Sequence, residues 1–409
     1  MRIVIFGGTG KIGSAITWDL VRQPEVKMVG LVSRTNSSLK EIKGRLKSNK
    51  VVIHHLDVEN KEKTKKLMKG YDVGVVSLPD RKTSYLAAEA AIEVGLDMVD
   101  ILEEYHRRPE NHEIEGLKVK QKMNLQKYGE HLHQRAVKNG VTFLDGMGFA
   151  PGLSNITLGE GIRKIGRAKS AIARVGGIPS KKAAAKHPLK YMITWAFSHV
   201  LREYMVKVKI IKGGKIVEVD ALTEPERFIF DKFGKKEVLE CAITPGMPSF
   251  IFTRNKLQDF TEKTIRWPGH WEKIQALKEC GLLDLNEVNF QGKKIIPREF
   301  LLSVIEPKLK AGAGDTDICI MWNTVRGGKN GQKRVDYYMW DEADTKNGIS
   351  SMARVTGFSA AVAALFLAKG KIKTKGIVAP EDAIYGKLYQ EFLKELEKRK
   401  IKILEIANF

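Results

Sequence analysis

The chain has 409 residues, 43% hydrophobic, 8% aromatic and 29% charged, an ordinary globular composition long enough for two or three domains. Lys and Arg number 70 against 48 Asp and Glu, a formal net charge of +22, and the basic residues are spread without a long block, which suits a diffusely basic surface or the steering of an anionic ligand better than a nucleic-acid partner. Three scattered cysteines, Cys241, Cys280 and Cys319, exclude a disulfide framework and a zinc knuckle and fit a reducing, cytoplasmic compartment. The longest apolar run, Ala360–Ala368, is too short to cross a bilayer. The opening strand reads as no signal peptide.

In chain order, Ile3–Phe6 is a short continuous apolar run, as expected of a strand buried on both faces of a parallel sheet. A helix pattern follows from Lys11 to Gln23, ended by Pro24. Strands are expected at Val29–Ser33, Val51–Leu56, Val73–Leu78, Asp97–Leu102 and Val141–Leu144, with helices at Leu39–Leu46 and Tyr85–Val94. This βαβα rhythm predicts a doubly wound α/β Rossmann domain over residues 1–150. The polar stretch 103–138 carries one helix near its end.

After Gly166 the pattern changes. Lys207–Ile211 and Lys215–Val219 flank Gly213-Gly214 and read as a hairpin. Two further strand pairs are expected at Arg227–Phe230 with Val238–Ile243, and at Asp317–Val325 with Arg334–Trp340. Helices are expected at Tyr191–Tyr204, Trp271–Cys280 and Arg298–Leu309. Residues 151–348 thus read as an α+β substrate-binding and dimerisation domain with a mixed or antiparallel sheet. Residues 349–409, with helices at Ser351–Lys369 and Glu381–Lys400, read as packing back on the Rossmann domain.

Gly8, Gly10 and Gly13 form G-x-G-x-x-G directly after the first strand and at the mouth of a helix. In this context the glycines allow a tight turn, close approach of a pyrophosphate and close helix–strand packing, so Gly8, Thr9, Gly10, Lys11 and Ile12 are cofactor-binding candidates. Ser33 and Arg34 stand at the end of the second strand, where a strict NAD enzyme carries an acidic residue. A hydroxyl and a guanidinium suit a 2′-phosphate, so NADP is favoured over NAD. Asp57 and Val58 fall where the adenine ring is expected, and Ser77, Leu78 and Pro79 near the path of the nicotinamide half. The glycine-rich turn Gly146–Asn155 joins the sixth strand to a helix and offers Ala150, Pro151, Gly152 and Asn155 as further contacts.

These motifs, with Gly176-Gly177-Ile178-Pro179, Thr194-Trp195, Glu203-Tyr204, Thr264–His270, Pro297–Phe300 and Met352–Gly357, run in order along nearly the whole chain. Through them the sequence resembles the saccharopine dehydrogenase superfamily, and within it the lysine 6-dehydrogenase and saccharopine-dehydrogenase-like branch. The resemblance implies a Rossmann domain, a mixed-sheet second domain that binds substrate and dimerises, and NAD(P)-linked chemistry at an amine carbon. Two features depart from the pattern: the long polar stretch after Glu103, and Ser33-Arg34.

Oxidising an amine by hydride transfer requires a group to take the ammonium proton and others to hold the substrate. No metal is needed, and no metal-ligand spacing is present. His270 is an acid/base candidate because it can titrate near neutral pH. Asp100, at the carboxyl end of a strand, lies where open α/β sheets bind ligands. Arg266 can clamp a carboxylate, Trp195 can hold a cationic amine by its ring face, and Tyr204 is a weaker substrate contact. Each also has a bland reading as a core or capping residue. The expected function is NAD(P)-dependent oxidation of a lysine-like amino acid to a semialdehyde. The alternatives are an imine-forming reductase of saccharopine or carboxylated-polyamine type and a non-catalytic dinucleotide-binding protein. The expected partners are a small amino acid or amine and a second copy of the chain, with no nucleic acid and no membrane.

Overall fold

The computed structural model describes residues 1–111, 116–119, 123–328 and 332–409. It divides into two compact units. Unit 1 holds Met1–Ala168, Met247–Asn255 and Ala353–Ile403; unit 2 holds Lys169–Gly246, Lys256–Met352 and Leu404–Phe409.

Unit 1 is built on β1 (Arg2–Phe6), β2 (Met28–Ser33), β3 (Val51–His55), β4 (Val73–Val76), β5 (Met98–Asp100) and β6 (Thr142–Leu144), joined by a late strand, Gly376–Val378. The order is Gly376–Val378, β6, β5, β4, β1, β2, β3, and every pairing is parallel. Ile3 to Phe6 are fully buried, which explains why they read as a continuous apolar run rather than an alternating one. The strand order reverses between β1 and β4, so the crevice at their carboxyl ends is the expected ligand edge. The intervening helices are α1 (Lys11–Leu20), α2 (Asn36–Leu46), α3 (Lys61–Met68), α4 (Arg81–Val94), α5 (Leu125–Lys138) and α6 (Leu153–Ile165). Helix α3, so charged that it carries little apolar pattern, is not among the expected elements. Of the polar stretch 103–138, residues 112–115 and 120–122 lie outside the described residues; its end forms α5.

Unit 2 carries the mixed sheet. Its strands are β7 (Ala168–Pro179), β8 (Lys207–Lys212), β9 (Lys215–Asp220), β10 (Glu226–Phe230), β11 (Glu237–Ile243), β12 (Asp259–Arg266), the separate hairpin β13 (Val288–Phe290) and β14 (Lys293–Ile295), then β15 (Asp317–Gly327) and β16 (Lys333–Glu342). The sheet runs β10, β11, β12, β7, β15, β16, Leu404–Asn408, with β8 and β9 branching from β12. β12 and β7 pair in parallel, while β11–β12 and β15–β16 are antiparallel.

The two central strands β7 and β12 are absent from the sequence reading. β7 ends in Gly176-Gly177-Ile178-Pro179, noted in the sequence only as one of the motifs that carry the resemblance. In the sheet a Cβ on Gly176 would lie 2.6 Å from the Ile265 carbonyl oxygen, so glycine is needed there for close strand approach. The expected helix Tyr191–Tyr204 is confined to Phe197–Glu203, with Tyr191 and Ala196 in extended conformation before it. The expected helix Glu381–Lys400 is split into Pro380–Ala383 and Lys387–Lys398 by Gly386 at φ 58°. Among the described residues one helix, Ser351–Ala368, is long and apolar enough to span a membrane, but 89% of it is buried inside the protein, as in a core helix.

Candidate active site

In unit 1 the glycine loop has the shape a dinucleotide requires. A Cβ on Gly7 would sit 2.1 Å from the Ser77 carbonyl oxygen, and one on Gly13 2.3 Å from the Gly7 oxygen. These two glycines let β1, β4 and α1 meet. Gly10 differs: a Cβ there would meet only the Gly7 oxygen, at 3.5 Å, so its outer face is open. Gly10 is also the N-cap of α1, and no side chain caps that helix. An open glycine at an uncapped helix N-terminus presents free amides to an anion, so the residues fit a pyrophosphate.

The Thr9 hydroxyl donates to Ser33 Oγ at 3.1 Å, and Thr35 N donates to the same oxygen at 3.2 Å. Ser33 is therefore held in place at the tip of β2. Arg34 is exposed, and its carbonyl accepts from His55 Nε2 at 2.9 Å, while its guanidinium has no partner among the described residues. Asp57 accepts the Glu59 amide at 3.0 Å. Val58 is buried in the core beside α3, Leu78 is half-buried against the same core, and Pro79 is exposed. Lys11 is exposed beside the loop and Ile12 half-buried. Arg34→Ala is expected to weaken NADP binding roughly tenfold or more, the scale of one charge-assisted hydrogen bond, with little effect on NAD. Fluorescence titration of the two reduced cofactors checks this.

The second glycine turn is more internally committed than its sequence suggests. The Ala150–Pro151 bond is cis and Gly152 lies at φ 128°. Asn155 Oδ1 accepts from Gly152 N at 3.0 Å, and its Nδ2 donates to Ser249 Oγ at 3.1 Å and Glu381 Oε2 at 3.0 Å. The Asn155 side chain thus ties the turn to the protein; what remains for a ligand here is backbone and the half-buried Ala150.

Asp100 closes β5 and is fully buried. It accepts from Ser84 Oγ and, at 2.7 Å, from Leu102 N. Ser84 Oγ also lies 2.8 Å from His106 Nε2, and His106 Nδ1 lies 2.8 Å from Asp145 Oδ1. Asp145 follows β6 as Asp100 ends β5, so both acids sit at the carboxyl edge of the sheet. Beside them Glu104 takes a two-pronged contact from Arg81 and the Tyr85 hydroxyl at 2.9 Å. Burial raises Asp100 to about 6; His106 draws it down and Asp145 adds to the rise. Burial opposes a charged His106, yet the charge and hydrogen bond of Asp145, with Asp100 and Glu104, push it up to about 9. Ser84, His106 and Asp145 were not singled out in the sequence. The signal for Asp145 was available, since it occupies the same strand-end position that nominates Asp100.

In unit 2 the structure brings Tyr204, Arg266 and His270 into one hydrogen-bonded chain. Arg266 Nε and Nη2 donate to the Tyr204 hydroxyl at 3.3 and 3.1 Å, and Nη1 donates to the Ile265 carbonyl at 3.0 Å. The Tyr204 hydroxyl lies 3.2 Å from His270 Nε2, and His270 Nδ1 donates to the Leu189 carbonyl at 2.8 Å. The carbonyl fixes the proton on Nδ1, so Nε2 accepts from Tyr204. Burial, reinforced by Arg266, pushes His270 down to about 3. The ring is therefore neutral across the physiological range, in contrast to the sequence expectation that it titrates near neutrality; its geometry suits holding Tyr204. Trp195 is half-buried against the apolar cluster around Tyr191, Tyr204 and Trp271.

Arg266 is only 3% exposed. Its guanidinium carbon lies 5.3 Å from the Tyr191 ring centroid and 5.6 Å from that of Trp271. Among the described residues no carboxylate pairs with it. Glu240, directly across the strand pair, accepts the Trp271 amide at 3.0 Å instead. A buried guanidinium lined by aromatic rings, with N–H groups to spare, is a site for a planar anion such as a carboxylate. Glu262 had no sequence signal because β12 was not legible, and Tyr191 was read as the first residue of a helix.

Residues 3–144 match the saccharopine dehydrogenase NADP binding domain, and residues 148–401 the saccharopine dehydrogenase C-terminal domain. The carboxyaminopropylagmatine dehydrogenase of Synechocystis is 22% identical over 93% of both chains. The alpha-aminoadipic semialdehyde synthase of Arabidopsis thaliana is 23% identical over 68% of this chain, which spans only 33% of that relative's length. The solved structure of saccharopine dehydrogenase (L-Glu forming) from Saccharomyces cerevisiae shares the fold over 100% of both chains, with a TM-score of 0.77 at 19% identity. With both of its domains matched in order, the chain belongs to the saccharopine dehydrogenase family of NAD(P)-dependent oxidoreductases.

Proposed function

We propose that the protein oxidises or forms a C–N bond of an amine that carries a carboxylate, and that Arg266 anchors this carboxylate. The observation that carries the reading is a buried guanidinium that makes no ion pair among the described residues and is attended by a carboxylate, Glu203, only through space. A buried charge without an ion-pair partner is costly, and a substrate carboxylate would supply the direct contact that Glu203 provides only at a distance. Tyr204, held between Arg266 and His270, fixes the fork for a two-pronged contact. Trp195 borders the same cluster and remains a candidate for a cationic amine.

In unit 1, Thr9, Gly10, Lys11, Ser33 and Arg34 would hold NADP, with Asp57, Val58, Ser77, Leu78, Ala150 and Gly152 along its path. When bound, the cofactor supplies the hydride acceptor or donor at the amine carbon. Asp100 is the candidate proton acceptor, buried at the carboxyl edge of the sheet and raised to about 6 by burial, which brings it closer to a working pH.

A lysine-like amino acid, oxidised to a semialdehyde, is the first reading. An imine-forming reductase acting on a carboxylated polyamine is the second. It is favoured by the Synechocystis relative, which matches over 93% of both chains. The test is to follow NADPH absorbance with lysine and carboxylated amines, then in reverse with semialdehyde–amine pairs. NADP reduction by a carboxylated amine but not by its decarboxylated analogue is the expected result. No turnover in either direction would favour a non-catalytic dinucleotide-binding protein. A cytoplasmic homodimer is part of the same proposal, and sedimentation of the purified protein tests the dimer.

A further inference from the structure

The face of β12 that carries Arg266 carries a second unexplained group. Strand side chains alternate, so Glu262, Thr264 and Arg266 share one face. Glu262 is 4% exposed. Its Oε2 accepts from Thr244 Oγ1 at 2.7 Å and from Gly246 N at 3.0 Å. Thr244 is in turn 2.6 Å from Thr264 Oγ1. Gly246 is required for this, since a Cβ there would lie 2.8 Å from the Glu262 carboxyl carbon. The other oxygen, Oε1, is buried and has no hydrogen-bond partner among the described residues. One half of the carboxyl is thus firmly held and the other is left bare, which buried polar groups in folded proteins seldom are.

We propose that Glu262 is a subsite for a cationic nitrogen of the substrate, at a fixed remove from the carboxylate anchored by Arg266. The proposal rests on the Arg266 reading and adds a ruler to it. Four residues of strand put the two Cα atoms about 13 Å apart, and the two side chains are close enough to interact electrostatically. The ligand class is a linear molecule with a carboxylate at one end and an amine or guanidine near the other, rather than a dicarboxylate. The carboxyl is suited to this exchange. Burial pushes Glu262 up to about 8, Glu203 adding to the rise and Thr244, Gly246 and Arg266 opposing it. The carboxyl is therefore mainly protonated at neutral pH, and an arriving cation takes the place of the proton.

The experiment measures the affinity of NADP-saturated enzyme for two linear probes of matched length, 8-aminooctanoate and octanedioate, by calorimetry. The expected result is that wild type prefers the amino acid at least tenfold and Glu262→Gln brings the two within about threefold of each other, while keeping NADP affinity as a check of folding. Arg266→Met loses both probes. If wild type prefers the diacid, binds neither probe, or if Glu262→Gln leaves the preference unchanged, the Glu262 subsite is overturned. If Arg266→Met binds both probes as wild type does, the carboxylate anchor itself fails, a separate outcome from failure at Glu262.

Discussion

Replacing Arg266 with methionine is expected to lower kcat/KM for a carboxylated amine by about 30- to 3,000-fold, while the melting temperature stays level or rises. The first half follows from removing one member of a buried, hydrogen-bonded charge pair, a change of about 2–5 kcal/mol at about 1.4 kcal/mol per factor of ten. The second half follows from the unliganded site. There the guanidinium is desolvated among Tyr191, Tyr204 and Trp271 without an ion pair among the described residues, so a flexible apolar side chain of similar reach relieves desolvation. Tyr204 keeps its contact with His270 after the change. A binding site that is costly to the free protein and useful to the complex shows this trade of stability against activity; a structural ion does not. Arg266→Lys keeps the charge but loses the fork and is expected to fall between methionine and wild type, chiefly through KM. Steady-state kinetics and thermal melts check both halves. Activity within threefold of wild type would place the anchor elsewhere, and a large fall in melting temperature would make Arg266 a core-holding ion.

The Rossmann half was legible because its strands are buried on both faces and its glycines act locally. Ile3–Phe6 and Gly8–Gly13 carry their meaning within a dozen residues. The second half was legible in its antiparallel pairs, the hairpin at Gly213-Gly214, Arg227–Phe230 with Val238–Ile243 and Asp317–Val325 with Arg334–Trp340, and in the helices after Pro268 and Pro297. β12 shows why the rest was not. Its sequence, Asp259-Phe-Thr-Glu-Lys-Thr-Ile-Arg266, is charged at both periods of a strand and offers no apolar alternation to read. The structure keeps it central because its polar side chains are met from other elements: Thr244 on Glu262, Tyr204 on Arg266, and the Glu224 carbonyl on Lys263. None of those partners is near in sequence. The motif Thr264–His270 drew attention to Arg266 and His270 as residues, yet their separate roles depend on Tyr204 standing between them. The same limit hid His106, which lies in a polar stretch and acquires its environment only when β5 and β6 bring Asp100 and Asp145 to it.

Replacing His106 with glutamine is expected to cost the folded state roughly 3–5 kcal/mol near pH 6.5, the scale of breaking a buried ion pair, and to lower the melting temperature on the order of 10 °C. The ring is fully buried, with Asp145 on one nitrogen and Ser84 on the other, and faces Asp100, Glu104 and the Tyr85 ring. Removing it leaves Asp145 and Asp100 as near neighbours with no cation between them. The pH dependence carries the more specific signature. His106 is raised from 6.5 to about 9, so the stability it contributes is complete below pH 6.5 and is lost as pH climbs through about 9. Asp100, raised from 3.8 to about 6 by burial, contributes in the same direction but at lower pH: its share is lost by about pH 6 and is constant above that. Glu262 in unit 2, raised to about 8, titrates within the upper window as well, so the diagnostic quantity is the difference between two proteins rather than the slope of one. Denaturant unfolding of wild type and His106→Gln at pH 6.5 and 9.5 is expected to show the gap between them narrowing as pH rises, because wild type loses what the variant never had. A gap that stays constant over this range would mean that His106 is neutral in the folded protein, and that the Asp100–Ser84–His106–Asp145 chain is held by uncharged hydrogen bonds.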